Sequence, residues 1–117
     1  MKSVSHTYAE TAYNCIRLAE KESWANEYGR LCLLFPSLLL TNGLRLTVAY
    51  YQGKGQKSES YKQFLNDMRE ALGNPNWENG LPANMAEYRE LSRRALQAAV
   101  WFKRYAEAIL KVETTDD

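Results

Sequence analysis

Ser37-Leu38-Leu39-Leu40-Thr41-Asn42-Gly43-Leu44-Arg45-Leu46-Thr47-Val48-Ala49-Tyr50-Tyr51 is the stretch whose reading decides the fold class. Two apolar runs flank Asn42-Gly43, the strongest short hairpin signal, so a β-hairpin is one solution. A helix interrupted by a glycine is the other. The run is rich in leucine rather than in β-branched residues, and its apolar positions do not alternate cleanly. A lone hairpin in a chain whose other segments are helical would also have no sheet to join. Helix is therefore expected. Gly43 then costs about 1 kcal/mol relative to Ala and marks a close neighbour, a kink or a break.

Outward from this stretch, apolar residues recur at three- and four-residue steps in every long segment. Tyr8, Ala12, Cys15 and Ala19 form one stripe with Ile16 beside it, and Ser5 stands where an N-cap is wanted. Ser23 can cap a second helix in which Trp24, Tyr28, Leu31 and Phe35 repeat and which Pro36 is expected to end. Gln52 to Lys57, polar, basic and glycine-bearing, reads as an exposed loop. Ser58 or Ser60 opens the next helix, with Tyr61, Phe64, Leu65, Met68 and Leu72 on one face and Gly73 at C′. The segment from Asn74 to Pro82 reads as a loop pinned to the core by Trp77 and Leu81. Asn84 with Glu87 resembles a capping box and starts the longest helix, to about Lys111. The expectation is an all-α fold: one domain over residues 1–117, a compact bundle of about five helices with a long C-terminal helix and a frayed acidic tail at 113–117.

Composition excludes several classes of function. The 117 residues carry fifteen Lys and Arg, fourteen Asp and Glu and a single histidine, a net charge of +1. Cys15 and Cys32 cannot make a disulfide framework and have no metal-ligand spacing, which suits a reduced, cytoplasmic protein. The longest fully apolar run, Leu31 to Pro36, is too short to span a bilayer, and the N-terminus has no apolar signal core. No membrane role is expected. With His6 the sole histidine and Asp67 the sole aspartate outside the tail, a His/Asp metallohydrolase site cannot be assembled. Glu20 and Glu22, like Glu87 and Glu90, read as helix-end acids, and Gly53-Lys54-Gly55-Gln56-Lys57 lacks the ending of a phosphate-binding loop. No enzyme, metal, cofactor or small-molecule substrate is expected.

The last helix carries the one informative surface. Leu91, Ala95, Ala98, Phe102, Tyr105 and Ile109 gather within an arc of about 80° and must face the bundle. Arg89, Arg93, Lys103, Arg104 and Lys111 share a second arc of about 100°, with Leu96 and Val100 at its middle. Residues 86–111 hold six Lys and Arg against three Glu, and residues 1–112 carry a net +4. A solvated face would alternate its signs and would not centre on Leu96 and Val100. Such a strip suits a partner protein, an RNA backbone, or both. From Arg89 to Lys111 it would run about 33 Å, long enough to follow several phosphates of one strand.

The residues also carry a family likeness. Tyr88-Arg89, Ala95-Leu96 and Trp101-Phe102-Lys103-Arg104-Tyr105-Ala106-Glu107-Ala108 resemble the C-terminal signature of the small helical subunit of the type III-B CRISPR effector, the Cmr complex. Pro36, Asn42-Gly43-Leu44 and Thr47-Val48-Ala49-Tyr50 are similar to that family's other recurring block. The first helix departs from the pattern, with Ala9-Glu10-Thr11-Ala12 where an Arg-Ala pair is expected. The resemblance implies a helical, non-catalytic subunit whose copies stack in a minor filament and line the groove for target RNA. It also implies that the partners are other Cmr subunits, further copies of the chain, and CRISPR RNA and target RNA within the complex. Arg89, Arg93, Lys103 and Arg104 are then the first candidates for RNA-backbone or subunit contacts, followed by Arg45, Lys54 and Lys57. Leu96 and Val100 are candidates for a protein interface. The alternative is a helical interaction module that touches protein only, with no direct RNA contact.

Overall fold

A computed structural model describes residues 4–75, 77 and 83–112 of the chain, and among these there is no strand. The elements are α1 (Val4–Ala19), α2 (Ala25–Gly55), α3 (Glu59–Ala71) and α4 (Met85–Tyr105), and α4 continues directly into a single π-helical turn, Ala106–Leu110. The all-α expectation holds, but among the described residues there are four α-helices rather than about five. The second and third expected helices are joined. Pro36 does not end a helix: it lies buried inside α2, its ring-fixed φ already helical. The interruption falls seven residues later, at Gly43, whose φ of 84° and ψ of 166° lie in a region open essentially to glycine alone.

The interruption leaves backbone groups in need of partners, and nearby side chains supply them. Thr47 Oγ1 donates to the Gly43 carbonyl at 2.8 Å, and the Tyr88 hydroxyl accepts the Arg45 N–H at 3.0 Å. Across the fold of α2, the Tyr51 hydroxyl donates to the Leu31 carbonyl at 3.0 Å. By length and composition α2 could cross a membrane. Its broken backbone at Gly43 and the burial of half of that apolar window against the other helices make it a core helix.

Other boundaries differ in informative ways. Helix α1 begins at Val4, so Ser5 lies inside it, and α2 begins at Ala25 after Trp24, which makes no side-chain cap. The expected loop at 52–57 is mostly the last turn of α2, which carries Lys54. Ser58 occupies the N-cap position of α3, yet its hydroxyl turns to Glu27 at 2.9 Å, and Ser60 donates to the same carboxylate. Helix α3 closes with Gly73 at φ 84°. The Gly73 N–H bonds the Glu70 carbonyl and the Asn74 N–H the Arg69 carbonyl, the paired 5→2 and 6→1 bonds of a Schellman motif. Trp77 is buried as expected, whereas Leu81 and the acidic tail lie outside the described residues. Asn84 Oδ1 accepts the Glu87 N–H at 3.0 Å and caps α4.

The core is aromatic at its centre. Phe64 of α3 touches Tyr28, Phe35 and Tyr51 of α2 and Phe102 of α4, with ring centroids 5.0 to 5.8 Å apart. Such tilted and edge-on pairs add about 0.5–1.5 kcal/mol each beyond their burial. Helix α4 meets its neighbours through Ala95, Ala98 and Ala99, all fully buried, which brings backbones close and fixes which face of α4 turns outward.

Candidate nucleic-acid interface

The bundle-facing stripe of α4 fixes the opposite side. Leu91, Ala95, Ala98 and Phe102 are buried, Tyr105 and Ile109 half-buried, and Arg89, Arg93 and Arg104 exposed along the outer ridge. Lys103 is half-buried and Lys111 exposed. Leu96 and Val100 do not stand in open solvent at the middle of the strip. Both are half-buried, and each borders a different groove beside the ridge.

The groove on the α2 side has an apolar floor of Leu39, Leu44 and Leu96 around Gly43, with Leu40, Tyr88, Arg89 and Arg93 at its edge. Arg45 lies over the Tyr88 ring at 5.0 Å from its centroid. Two stretches far apart in sequence, Asn42-Gly43-Leu44 and Tyr88-Arg89, therefore meet at one place, and Tyr88 is what joins them. Leu40 is 73% exposed at the mouth of this groove.

The groove on the α1 side is polar and aromatic. Tyr8 lines one wall, and Arg93, Gln97, Val100, Trp101 and Arg104 line the other. Arg94, outside the expected strip, turns inward and fastens the two walls. Its guanidinium donates to the Leu72 carbonyl at 2.6 Å and to the Tyr8 hydroxyl at 3.3 Å. Arg93 grips Glu90 through two bonds of 3.1 and 2.6 Å, which lower the Glu90 carboxyl below its usual range. Among the described residues, Arg89, Lys103 and Arg104 make no ion pair, so their charge is offered outward.

The second-choice cations do not all join this ridge. Arg45 does, through Tyr88. Lys54 lies nine residues further along α2, which turns it to the opposite side of that helix, and its ammonium sits 5.7 Å from the Tyr50 ring centroid. Lys57 follows the end of α2 and is exposed. Helical period thus separates residues that sequence proximity had grouped.

A tight grouping of metal-capable side chains lies elsewhere: Cys15, Asp67 and Glu70 bring their ligand atoms within 4.8 Å of one another. Burial pushes both the Cys15 thiol and the Asp67 carboxyl upward, against the ionised forms a metal would need. Asp67 instead accepts from the Tyr28 hydroxyl at 2.5 Å and from Gln63 Nε2 at 2.9 Å, tying α2 to α3. Its place in the sequence gave no sign of this role, because Asp67 and Tyr28 are 39 residues apart.

Fold and surface together define a protein that is helical throughout its described elements, with an arginine-bearing ridge along its last helix. Comparison with known proteins supplies the family. A sequence model of the Cas_Cmr5 family of CRISPR-associated proteins matches residues 4–109. A relative from Thermus thermophilus, the CRISPR system Cmr subunit Cmr5, is 32% identical over 115 residues, covering 95% of this chain and 99% of the relative. The crystal structure of a CRISPR-associated Cmr5 family protein from Thermus thermophilus superposes with a TM-score of 0.85 at 32% identity, covering 94% of this chain and 99% of that one. The chain belongs to the Cas_Cmr5 family.

Proposed function

We propose that the chain is a non-catalytic structural subunit of a cytoplasmic type III-B CRISPR effector, the Cmr complex. In this reading its copies stack in the minor filament beside other Cmr subunits and help hold target RNA through backbone contacts. Family membership supports the setting. The observation that carries the RNA contact is the outer ridge of α4, where Arg89 and Arg104 are exposed without an ion pair among the described residues. Arg93 and Lys103 lie beside them, and Arg45 adds its charge from α2 by way of Tyr88. Guanidinium groups spaced along one helix face neutralise phosphates and position a strand, and they carry no base code. Sequence specificity is supplied by guide pairing, as in other RNA-guided systems.

Replacing Arg89, Arg93 and Arg104 together by Glu tests this. The variant is expected to weaken target-RNA binding by the assembled complex at least tenfold while leaving the chain's melting temperature within about 3 °C, since exposed charges contribute little to stability. Unchanged RNA binding would remove those residues from the interface. A second reading, contact with protein alone, draws on the apolar α2-side groove and the 73% exposure of Leu40. On that reading Leu40→Glu, at the mouth of that groove, would abolish assembly, and raised salt would leave RNA retention untouched.

A further inference from the structure

The α1-side groove differs from a simple phosphate track. It opens to about 760 Å³, within the size range of sites for small organic groups. Its wall holds the half-buried Trp101, whose ring stacks on Tyr105 at 6.1 Å and 28° and has the Arg104 guanidinium carbon 5.8 Å from its centroid. Tyr13 of α1 meets Tyr105 edge-on at 5.5 Å, so the stack is braced from the neighbouring helix. The groove therefore joins an aromatic ring in a fixed orientation to Arg104, about one helix turn on, with Arg93 about two turns back on the same wall. That pairing is the one by which single-stranded nucleic acid is held, a base on the ring and its phosphate on the cation.

We infer that this groove receives one unstacked nucleotide of single-stranded RNA, its base against Trp101 and its phosphate against Arg104, with Arg93 on the flank. The inference rests on the RNA-contact reading above and goes beyond it, because backbone contacts alone need no aromatic ring. An acidic peptide fits less well. Glu90 stands on the same rim, and Val100 is the sole aliphatic side chain on the α4 wall, whereas a helical ligand would seek the apolar floor found on the α2 side. Glu90 does not repel the phosphate directly, since Arg93 holds its carboxylate through two bonds. Stacking is tolerant of base identity, so the groove adds affinity without adding sequence preference.

The test uses the assembled effector complex with target RNA. Irradiation at short ultraviolet wavelength should join a nucleobase to the segment Ala95–Lys103, which contains Trp101, as read by mass spectrometry of the digested protein. Trp101→Leu should weaken target-RNA binding at least about fivefold, the lower end of what one stacked base is worth, while Trp101→Phe retains most of it. Absence of a base adduct on that segment overturns the inference, and so does full RNA affinity in the Trp101→Leu complex. Equal losses in the Leu and Phe variants would also overturn it, by assigning the ring to packing. A further outcome against it is protection of Trp101 by an acidic peptide and not by RNA. If Trp101→Leu is silent while the double variant Arg93→Glu, Arg104→Glu weakens binding, only the stacking inference falls. If both are silent, the RNA-contact reading falls with it.

Discussion

The two grooves beside α4 share a ridge of arginines and little else. On the α2 side, Leu39, Leu40, Leu44 and Leu96 surround a backbone break at Gly43, and the cations sit at the edge of an apolar floor. On the α1 side, Arg93 and Arg104 share a wall with Gln97 and Trp101, and the single aliphatic contribution from α4 is Val100. The same helix therefore presents an apolar groove to one flank and a cationic, aromatic one to the other. The lesson is that a stripe of like charge along one helix does not define one surface. What lies across the groove decides what each arginine can do, and Arg93, bordering both, belongs to neither alone.

This contrast can be broken most severely at Gly43. A β-branched residue cannot adopt φ 84° with ψ 166° without strain, so Gly43→Val should cost about 3 kcal/mol. A Cβ there would meet only the Tyr88 hydroxyl, at 3.8 Å, so the cost is conformational rather than steric. The loss is read from chemical denaturation, and the α2-side groove should lose its shape with it while the Trp101 wall is spared. A smaller effect separates neighbouring arginines. Arg94→Ala removes two bonds that fasten α4 to Leu72 and Tyr8, at a cost of about 2 kcal/mol in the same assay. Arg93→Ala, one residue away but facing outward, should leave stability nearly unchanged and act on RNA binding alone. Equal destabilisation by the two variants would show that the ridge is structural.

Much of this was legible in sequence, for reasons that differ by element. The α4 stripe could be read because a long amphipathic helix repeats its burial pattern turn after turn. Leu91, Ala95, Ala98 and Phe102 are buried where period placed them. Helix rather than hairpin holds over 37–51, since leucine packs on a helical face without needing strand partners. Pro36 misled because a proline costs a helix one hydrogen bond and some crowding, and local rules cannot weigh that against the burial of Phe35 and Leu39 around it. The loop expected at 52–57 failed similarly: Tyr51, fully buried and bonded to Leu31, anchors the end of α2 despite its glycines.

The site was legible in its charges and not in its partners. The arc of Arg89, Arg93 and Arg104 follows from helical period, and so does the exclusion of Arg94 from it. The i, i+3 spacing of Glu90 and Arg93 was a usable signal for their pairing. Tyr88 and Trp101 were visible only as letters of a family signature, because the roles of both depend on what lies across a groove. Tyr88 accepts the Arg45 N–H across 43 residues of chain, a contact that only tertiary structure creates.

If the ridge of α4 neutralises phosphates of a bound strand, the salt dependence of binding records it. Target-RNA affinity of the assembled complex should fall linearly with the logarithm of salt concentration. Replacing Arg89, Arg93 and Arg104 by Ala should flatten that line by about 0.7 per lost contact, close to 2 for each ridge that engages the strand. A slope identical in wild-type and triple-variant complexes would mean that no phosphate is neutralised there.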